Sequence, residues 1–308
     1  MSILGDRILA QRKISCVQLV EISAADFDLT MTLNSGQVFH WEKVDGGFVG
    51  AIGNLAVYLE QQKDILKASG SALKLDGLKP SSFQRVVSHY FALDHPLEEI
   101  CASFPNDPAM NAAKQFCRGL RIIRQPKWEG LATFICSSMK QVAHIRQISR
   151  NLRERFGEIR EIDCYVVRTF PSAERIAATS ARELRKCALG YRAKSLLATA
   201  RLVASGEVDL AKLAGLSDVD LRVRLCELPG VGPKVANCVM LFAYERLGAF
   251  PIDVWIERVL RDRYFPRARK LNAKRLEAFT QQYFGDHGGY AQQYLFHHAR
   301  TSKTEEEE

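Results

Sequence analysis

Along the first quarter of the chain, apolar and polar side chains alternate. Phe27, Leu29, Met31 and Leu33 are interleaved with Asp28, Thr30 and Thr32, a period of two that predicts a β-strand. Strands are likewise expected over 38–43, 48–52 and 55–60, joined by turns at Asp45-Gly46-Gly47 and Gly53-Asn54. Together they predict a small antiparallel sheet to about residue 70, followed by helical segments over 82–92 and 97–103.

From Pro126 onward the period lengthens to that of a helix. Val142, Ile145, Ile148, Leu152 and Phe156 form one apolar face, closed by Gly157, and Ser180-x-x-Glu183 reads as a capping box. Further helices are expected over 191–204, 254–261 and 273–284. Between them, Ser217 is a candidate N-cap for a helix carrying Leu221, Leu225 and Leu228. A second apolar stripe of Val235, Val239, Met240 and Ala243 runs out at Gly248. The pattern is α+β: an N-terminal antiparallel-sheet domain with flanking helices over 1–125, then an all-helical domain over 126–308. With no internal repeat and no Gly/Ser linker, the two are expected to pack as one body.

The two stripes at about 217–248 are separated by Pro229-Gly230-Val231-Gly232-Pro233, which can be neither helix nor strand. Pro233 suits the first turn of a helix, where its missing N–H costs nothing. A glycine turn at a helix N-terminus exposes backbone N–H groups beside the positive end of the dipole, a surface suited to phosphate. Lys234 opens the second helix, and a helix plus a short return loop could bring Asp253 back toward it. Taken singly, Lys234 is an ordinary solvated lysine and Asp253 an N-cap for 254–261. As a pair behind this turn they are a candidate catalytic couple.

Composition narrows the partner. The 308 residues are 47% hydrophobic and 25% charged, ordinary globular values, with a net charge of +8. Because Glu305 to Glu308 are all acidic, the rest of the chain is more basic still, which suits a polyanion. The tail over 305–308 is expected to be disordered. No apolar run reaches the roughly 18 residues of a membrane span, and the first residues lack a signal-peptide pattern. The eight cysteines contain no CxxC pair and read as reduced thiols of an intracellular protein, neither a disulfide framework nor a zinc site.

The stretch Leu228-Pro-Gly-Val-Gly-Pro-Lys-Val-Ala236 with Asp253 resembles the helix–hairpin–helix (HhH-GPD) DNA glycosylase superfamily. A lysine at 234 points to its bifunctional branch, and among these the chain is most similar to the 8-oxoguanine DNA glycosylase/AP lyases. The resemblance covers roughly residues 25 to 300. It implies Lys234 and Asp253 as catalytic, Gly230 and Gly232 as phosphate-binding, and Cys238, one turn beyond Lys234, packed on a flipped base. Ser35-Gly36-Gln37-x-Phe39-x-Trp41 resembles the segment whose glycine carbonyl, here Gly36, meets the lesion. Oxidation of guanine puts hydrogen on N7, so a carbonyl there accepts from the lesion and meets only a lone pair on normal guanine. Gln292 and Phe296, at i and i+4, resemble the glutamine that reads the base edge and the ring that stacks on it. Tyr191 and Arg192 resemble the pair that wedges into the stack and reaches the widowed cytosine.

Departures from the family pattern are equally specific. Met139-Lys140-Gln141 stands where eukaryotic members carry consecutive asparagines, His144 replaces an arginine, and Trp255 stands where many members have histidine. A thioether at 139 is a poor hydrogen-bonding partner for an orphaned cytosine, so relaxed opposite-base preference is expected. No cysteine follows Cys238, which disfavours the iron–sulfur branches. The resemblance implies excision of 8-oxoguanine from duplex DNA by a monomer that requires no cofactor and no metal. The setting would be cytoplasm or nucleoid in a bacterium and nucleus in a eukaryote. The rivals are a monofunctional alkylpurine glycosylase of the same fold, which typically lacks the hairpin lysine, and a non-catalytic DNA-binding protein using the hairpin for phosphates alone.

Overall fold

The computed structural model describes residues 19–71, 79–138, 140–268 and 270–306. Five antiparallel strands, β1 (Val20–Ser23), β2 (Glu42–Val44), β3 (Gly47–Ile52), β4 (Leu55–Gln62) and β5 (Ile65–Gly70), form one sheet in the order β1-β5-β4-β3-β2. The turns at Asp45-Gly46 and Gly53-Asn54 fall where the sequence puts them, and the sheet ends near residue 70 as expected, with β5 as a strand the sequence did not single out.

The strand expected over 27–33 is a helix instead. Asp28 accepts a hydrogen bond from Met31 N–H at 2.7 Å and caps α1 (Leu29–Asn34), which buries Leu29, Thr32 and Leu33. Those positions are one helical face. The alternation at Phe27–Leu33 fits either period, and the cap and burial decide. The expected strand over 38–43 is paired only from Glu42 onward. Further along β3 the Ala51 carbonyl is taken by the His40 ring, Nε2 at 2.8 Å, in place of a ladder partner.

Among the described residues the sheet is followed by α2 (Pro80–Tyr90), α3 (Leu97–Ala102), α4 (Pro108–Phe116) and α5 (Lys127–Ser137). Phe83, Val87, Tyr90 and Phe91 close the sheet's core, whereas Leu97, Ile100, Met110 and Ala113 belong to the larger helical core. α6 (Val142–Phe156) ends at Gly157 as its pattern predicts. It is followed by a feature the helical reading missed, a hairpin of β6 (Ile159–Ile162) and β7 (Tyr165–Arg168). This hairpin packs against the N-terminal sheet: Tyr165 stacks on Tyr58 with centroids 6.3 Å apart, and Ile162 and Val167 are buried beside Val49 and Ala56.

The remaining α-helices among the described residues are α7 (Ala173–Ala177), α8 (Ala181–Arg185), α9 (Arg192–Ala204), α10 (Asp218–Cys226), α11 (Pro233–Tyr244), α12 (Val254–Val259), α13 (Ala273–Phe284) and α14 (Gly288–Glu306). Ser180, Ser217 and Asp253 cap α8, α10 and α12 as their positions suggest. For the acidic tail, α14 carries Glu305 and Glu306 in helix, while 307–308 lie outside the described residues. No helix among the described residues is long and apolar enough to cross a membrane.

The sheet and the helical body are joined by buried polar groups. Gln37 Oε1 accepts from Ile123 N–H at 2.7 Å, Gln37 Nε2 donates to Arg121 O at 2.8 Å, and Gln125 Nε2 donates to Gln37 O at 2.7 Å. Gln125 N–H in turn donates to Phe242 O of α11 at 2.7 Å. Beneath the sheet, Arg153 of α6 is bonded to the buried Glu129 of α5, and His40 Nδ1 lies 3.6 Å from the same carboxylate. Removing all these groups from water is costly, so their pairing fixes how the two parts sit.

Candidate active site

α10 and α11 form the hairpin foreseen in the sequence. Val231 N–H donates to Leu228 O at 3.0 Å, and Thr199 Oγ1 donates to Pro229 O at 2.9 Å, drawing the turn onto α9. Gly230 has φ +85°, and a Cβ there would lie 2.7 Å from Ser195 Cβ, so no side chain fits. Gly232 caps α11 and is the opposite case: a Cβ there would meet nothing within 4 Å. Its outer side is open, and the first N–H groups of α11 face that way without intrahelical partners.

Lys234 sits in the first turn of α11, half-buried, with Nζ 5.8 Å above the Phe134 ring of α5. Phe134 is a site residue that the sequence did not single out, since it reads there as one more apolar helix position. One turn along, Cys238 is buried; burial pushes its thiol up, opposed by the charge and hydrogen-bonding reach of Lys234. Asp253 reaches the same place from the start of α12. Its Oδ1 accepts from Ile256 N–H at 2.9 Å. Burial raises the carboxyl above the usual range, with the Ile256 hydrogen bond and the Lys234 charge pulling the other way. The fold therefore brings Lys234, Cys238 and Asp253 into one electrostatic cluster.

A second group assembles from the two ends of the chain. Gly36 has φ +89°, and a Cβ on it would lie 3.0 Å from Phe296 Cε1 and 3.7 Å from Val142 Cγ2. Ser35 O accepts from Gln293 Nε2 at 2.9 Å, pinning the turn to α14. Gln292, next to it, is also buried, but its Oε1 has no hydrogen-bond partner among the described residues. An unpaired buried acceptor costs about 1–3 kcal/mol, which invites a ligand donor. Arg300, another residue the sequence reading missed, donates to Asn34 O at 2.7 Å and lies 5.7 Å over the Phe296 ring. Only its spacing of i+4 from Phe296 could have signalled it.

At the mouth, Tyr191 is 64% exposed while Arg192 beside it is 5% exposed. The Arg192 guanidinium lies 4.4 Å from the Tyr191 ring and bonds Ser138 O, with Nε at 2.8 Å, so it backs the tyrosine and is not free at the surface. His144 is exposed on α6, and Met139 lies outside the described residues.

Comparison with known proteins gives the family. Residues 19–131 match the family described as 8-oxoguanine DNA glycosylase, N-terminal domain, and residues 132–283 match the HhH-GPD superfamily of base excision DNA repair proteins. The chain belongs to the 8-oxoguanine DNA glycosylase family. It is 32% identical to the N-glycosylase/DNA lyase of Saccharomyces cerevisiae over 83% of this chain and 73% of that one. It is 27% identical to a probable N-glycosylase/DNA lyase of Methanothermobacter thermautotrophicus over 92% of this chain and 96% of the other. Its structure resembles that of the Clostridium acetobutylicum 8-oxoguanine glycosylase/lyase, solved with duplex DNA holding cytosine opposite the lesion. There the TM-score is 0.83 at 28% identity, covering 92% and 98% of the two chains. Membership makes this chain an enzyme of the N-glycosylase/DNA lyase type, built from the family's N-terminal sheet and its hairpin-bearing helical body.

Proposed function

We propose that this glycosylase flips 8-oxoguanine out of duplex DNA, excises it through a Schiff base on Lys234, and then breaks the strand by β-elimination. The observation that carries the reading is the convergence of Lys234 and Asp253, from different helices, beside the hairpin. The hairpin N–H groups would take phosphates of the lesion strand at Gly230 and Gly232, and Tyr191 would fill the vacated stack. In the pocket, Phe296 stacks on the base. The N1–H and N2–H groups of guanine are donors, which suits the partnerless Oε1 of Gln292. The Gly36 carbonyl would accept from N7–H, present in the lesion and absent from guanine.

Excision needs the Lys234 amine neutral, so that its lone pair can form a bond to C1′ while the C1′–N9 pair leaves with the base. Asp253 stabilises the positive charge that develops on the sugar. Because burial makes its carboxylate more basic than a solvated one, it can also take the proton the amine sheds and pass it to O4′ as the C1′–O4′ bond breaks and the imine forms. Loss of a C2′ proton then expels the 3′ phosphate. Opposite-base selection is relaxed in this reading, because His144 is solvent-exposed and Arg192 would have to release Ser138 O before reaching an orphaned base.

The test is borohydride trapping on duplexes carrying 8-oxoguanine opposite each base in turn, with wild type and Lys234→Gln. An adduct that needs both the lesion and Lys234 supports the proposal, and its yields rank the opposite bases. Base release without an adduct would leave a monofunctional glycosylase. Binding without release or adduct would leave a DNA-binding module.

A further inference from the structure

Among the clefts formed by the described residues, four differ in charge. One behind the hairpin is lined by Arg222 against Asp218, Glu227 and Glu277. A second pairs Lys114 and Arg118 with Asp26 and Glu98, and a third pairs Arg258 and Arg263 with Asp107 and Asp262. The fourth, of about 780 Å³, lies between β2–β3, α6 and β7, and it is lined by Lys43, Arg146, Arg150 and Arg168 against Glu42 and Glu154. Arg153 also borders it but is bonded to Glu129.

Three of the cations of this groove are not used by the fold. Lys43 and Arg150 are exposed, and the side chains of Lys43, Arg150 and Arg168 make no ion pair or hydrogen bond among the described residues. Arg146 makes one hydrogen bond, to Asn34 Oδ1 at 3.2 Å. Arg146 and Arg150 share one face of α6 at i and i+4. Four such cations face only the two carboxylates of Glu42 and Glu154, so their charge is incompletely balanced, and a polyanion would relieve it. The walls are braced: Arg160 Nε donates to Asn54 O at 3.2 Å across the hairpin–sheet contact, and the Tyr58–Tyr165 stack joins the same two elements.

The groove also has a direction. It starts at Asn34, two residues from Gly36, and leads away from the base pocket along β2, β3 and α6. None of its lining residues belongs to the hairpin that carries Gly230 and Gly232. We propose that this groove is a second DNA contact, taking backbone phosphates of the duplex beyond the lesion and so lengthening the footprint past what the hairpin holds. The proposal rests on the reading above only in taking duplex DNA as the ligand.

Binding is measured in the Lys234→Gln background, so that no turnover occurs, on an 8-oxoguanine duplex just covering the lesion and on one extended on both sides, across a salt series. Adding Lys43→Gln and Arg150→Gln together should weaken the extended duplex about tenfold. The slope of log affinity against log salt should fall by about two, near 0.9 for each phosphate no longer neutralised. The short duplex should bind as before, and the melting temperature should not move. Unchanged affinity and slope on the extended duplex would overturn the proposal, as would an equal weakening on both lengths. If the Lys234→Gln protein itself bound neither duplex, the failure would belong to the excision reading and not to the groove.

Discussion

Gly36 lies against Phe296 so closely that a Cβ on the glycine would stand 3.0 Å from the ring's Cε1. The two residues are at opposite ends of the chain, yet each limits what the other can be. Gly36→Ala adds that contact to a φ of +89°, so it should cost about 1–3 kcal/mol of stability and displace the ring. Excision of 8-oxoguanine should fall at least tenfold, about 1.4 kcal/mol in the barrier. Cleavage of a preformed abasic site, which needs Lys234 but no base pocket, should persist. Equal loss of both activities would mean the turn supports the whole fold and not the pocket alone.

Gln292 should show a trade between stability and activity. Its buried Oε1 lacks a partner, so Gln292→Met removes an unsatisfied acceptor while keeping the volume. Thermal unfolding should shift upward by the equivalent of about 1 kcal/mol, and 8-oxoguanine excision should drop at least tenfold. A variant that is less stable and equally active would contradict the pocket assignment.

The buried couple Glu129–Arg153 should behave as a unit. Glu129→Ala strands the Arg153 charge in the interior and should cost about 3–5 kcal/mol in urea unfolding. Glu129→Leu with Arg153→Met should recover most of that loss. A single-variant cost below about 1 kcal/mol would show that water reaches Arg153.

Acid should destabilise the protein through its histidines. Burial, with Arg300 and His298 nearby, lowers His297 to about 4, and burial also lowers His40, His95 and His298. Each is neutral in the folded chain and takes a proton more readily once unfolded. Stability is therefore fully present above the unfolded value near 6.5, and falls as pH drops toward the folded value. For His297 alone the loss at pH 5 is about 2 kcal/mol. Unfolding midpoints for wild type and His297→Gln between pH 7 and 5 check this, since the variant should lose less. Parallel curves would refute it.

Much of the local structure was legible because short-range rules govern it. The Pro229–Pro233 turn, the caps at Ser180, Ser217 and Asp253, and the ends of α6 and α13 depend on neighbours within a few residues. Resemblance to a family then assigned roles to Lys234, Asp253, Gly36 and Gln292. What the sequence left undecided depended on residues far along the chain. The alternation at Phe27–Leu33 fits two periods, and only the face that Leu29, Thr32 and Leu33 bury makes it helical. The β6–β7 hairpin needs the sheet beneath it, more than a hundred residues earlier along the chain. Arg192 reads as a surface cation until the Ser138 carbonyl claims it. The basic groove exists only because β2, α6 and β7 meet. Turns and caps follow from interactions within reach of a few residues, so the sequence by itself determines them. Which face is buried, and which charges end up side by side, is set by packing between distant segments, and only the tertiary structure decides that.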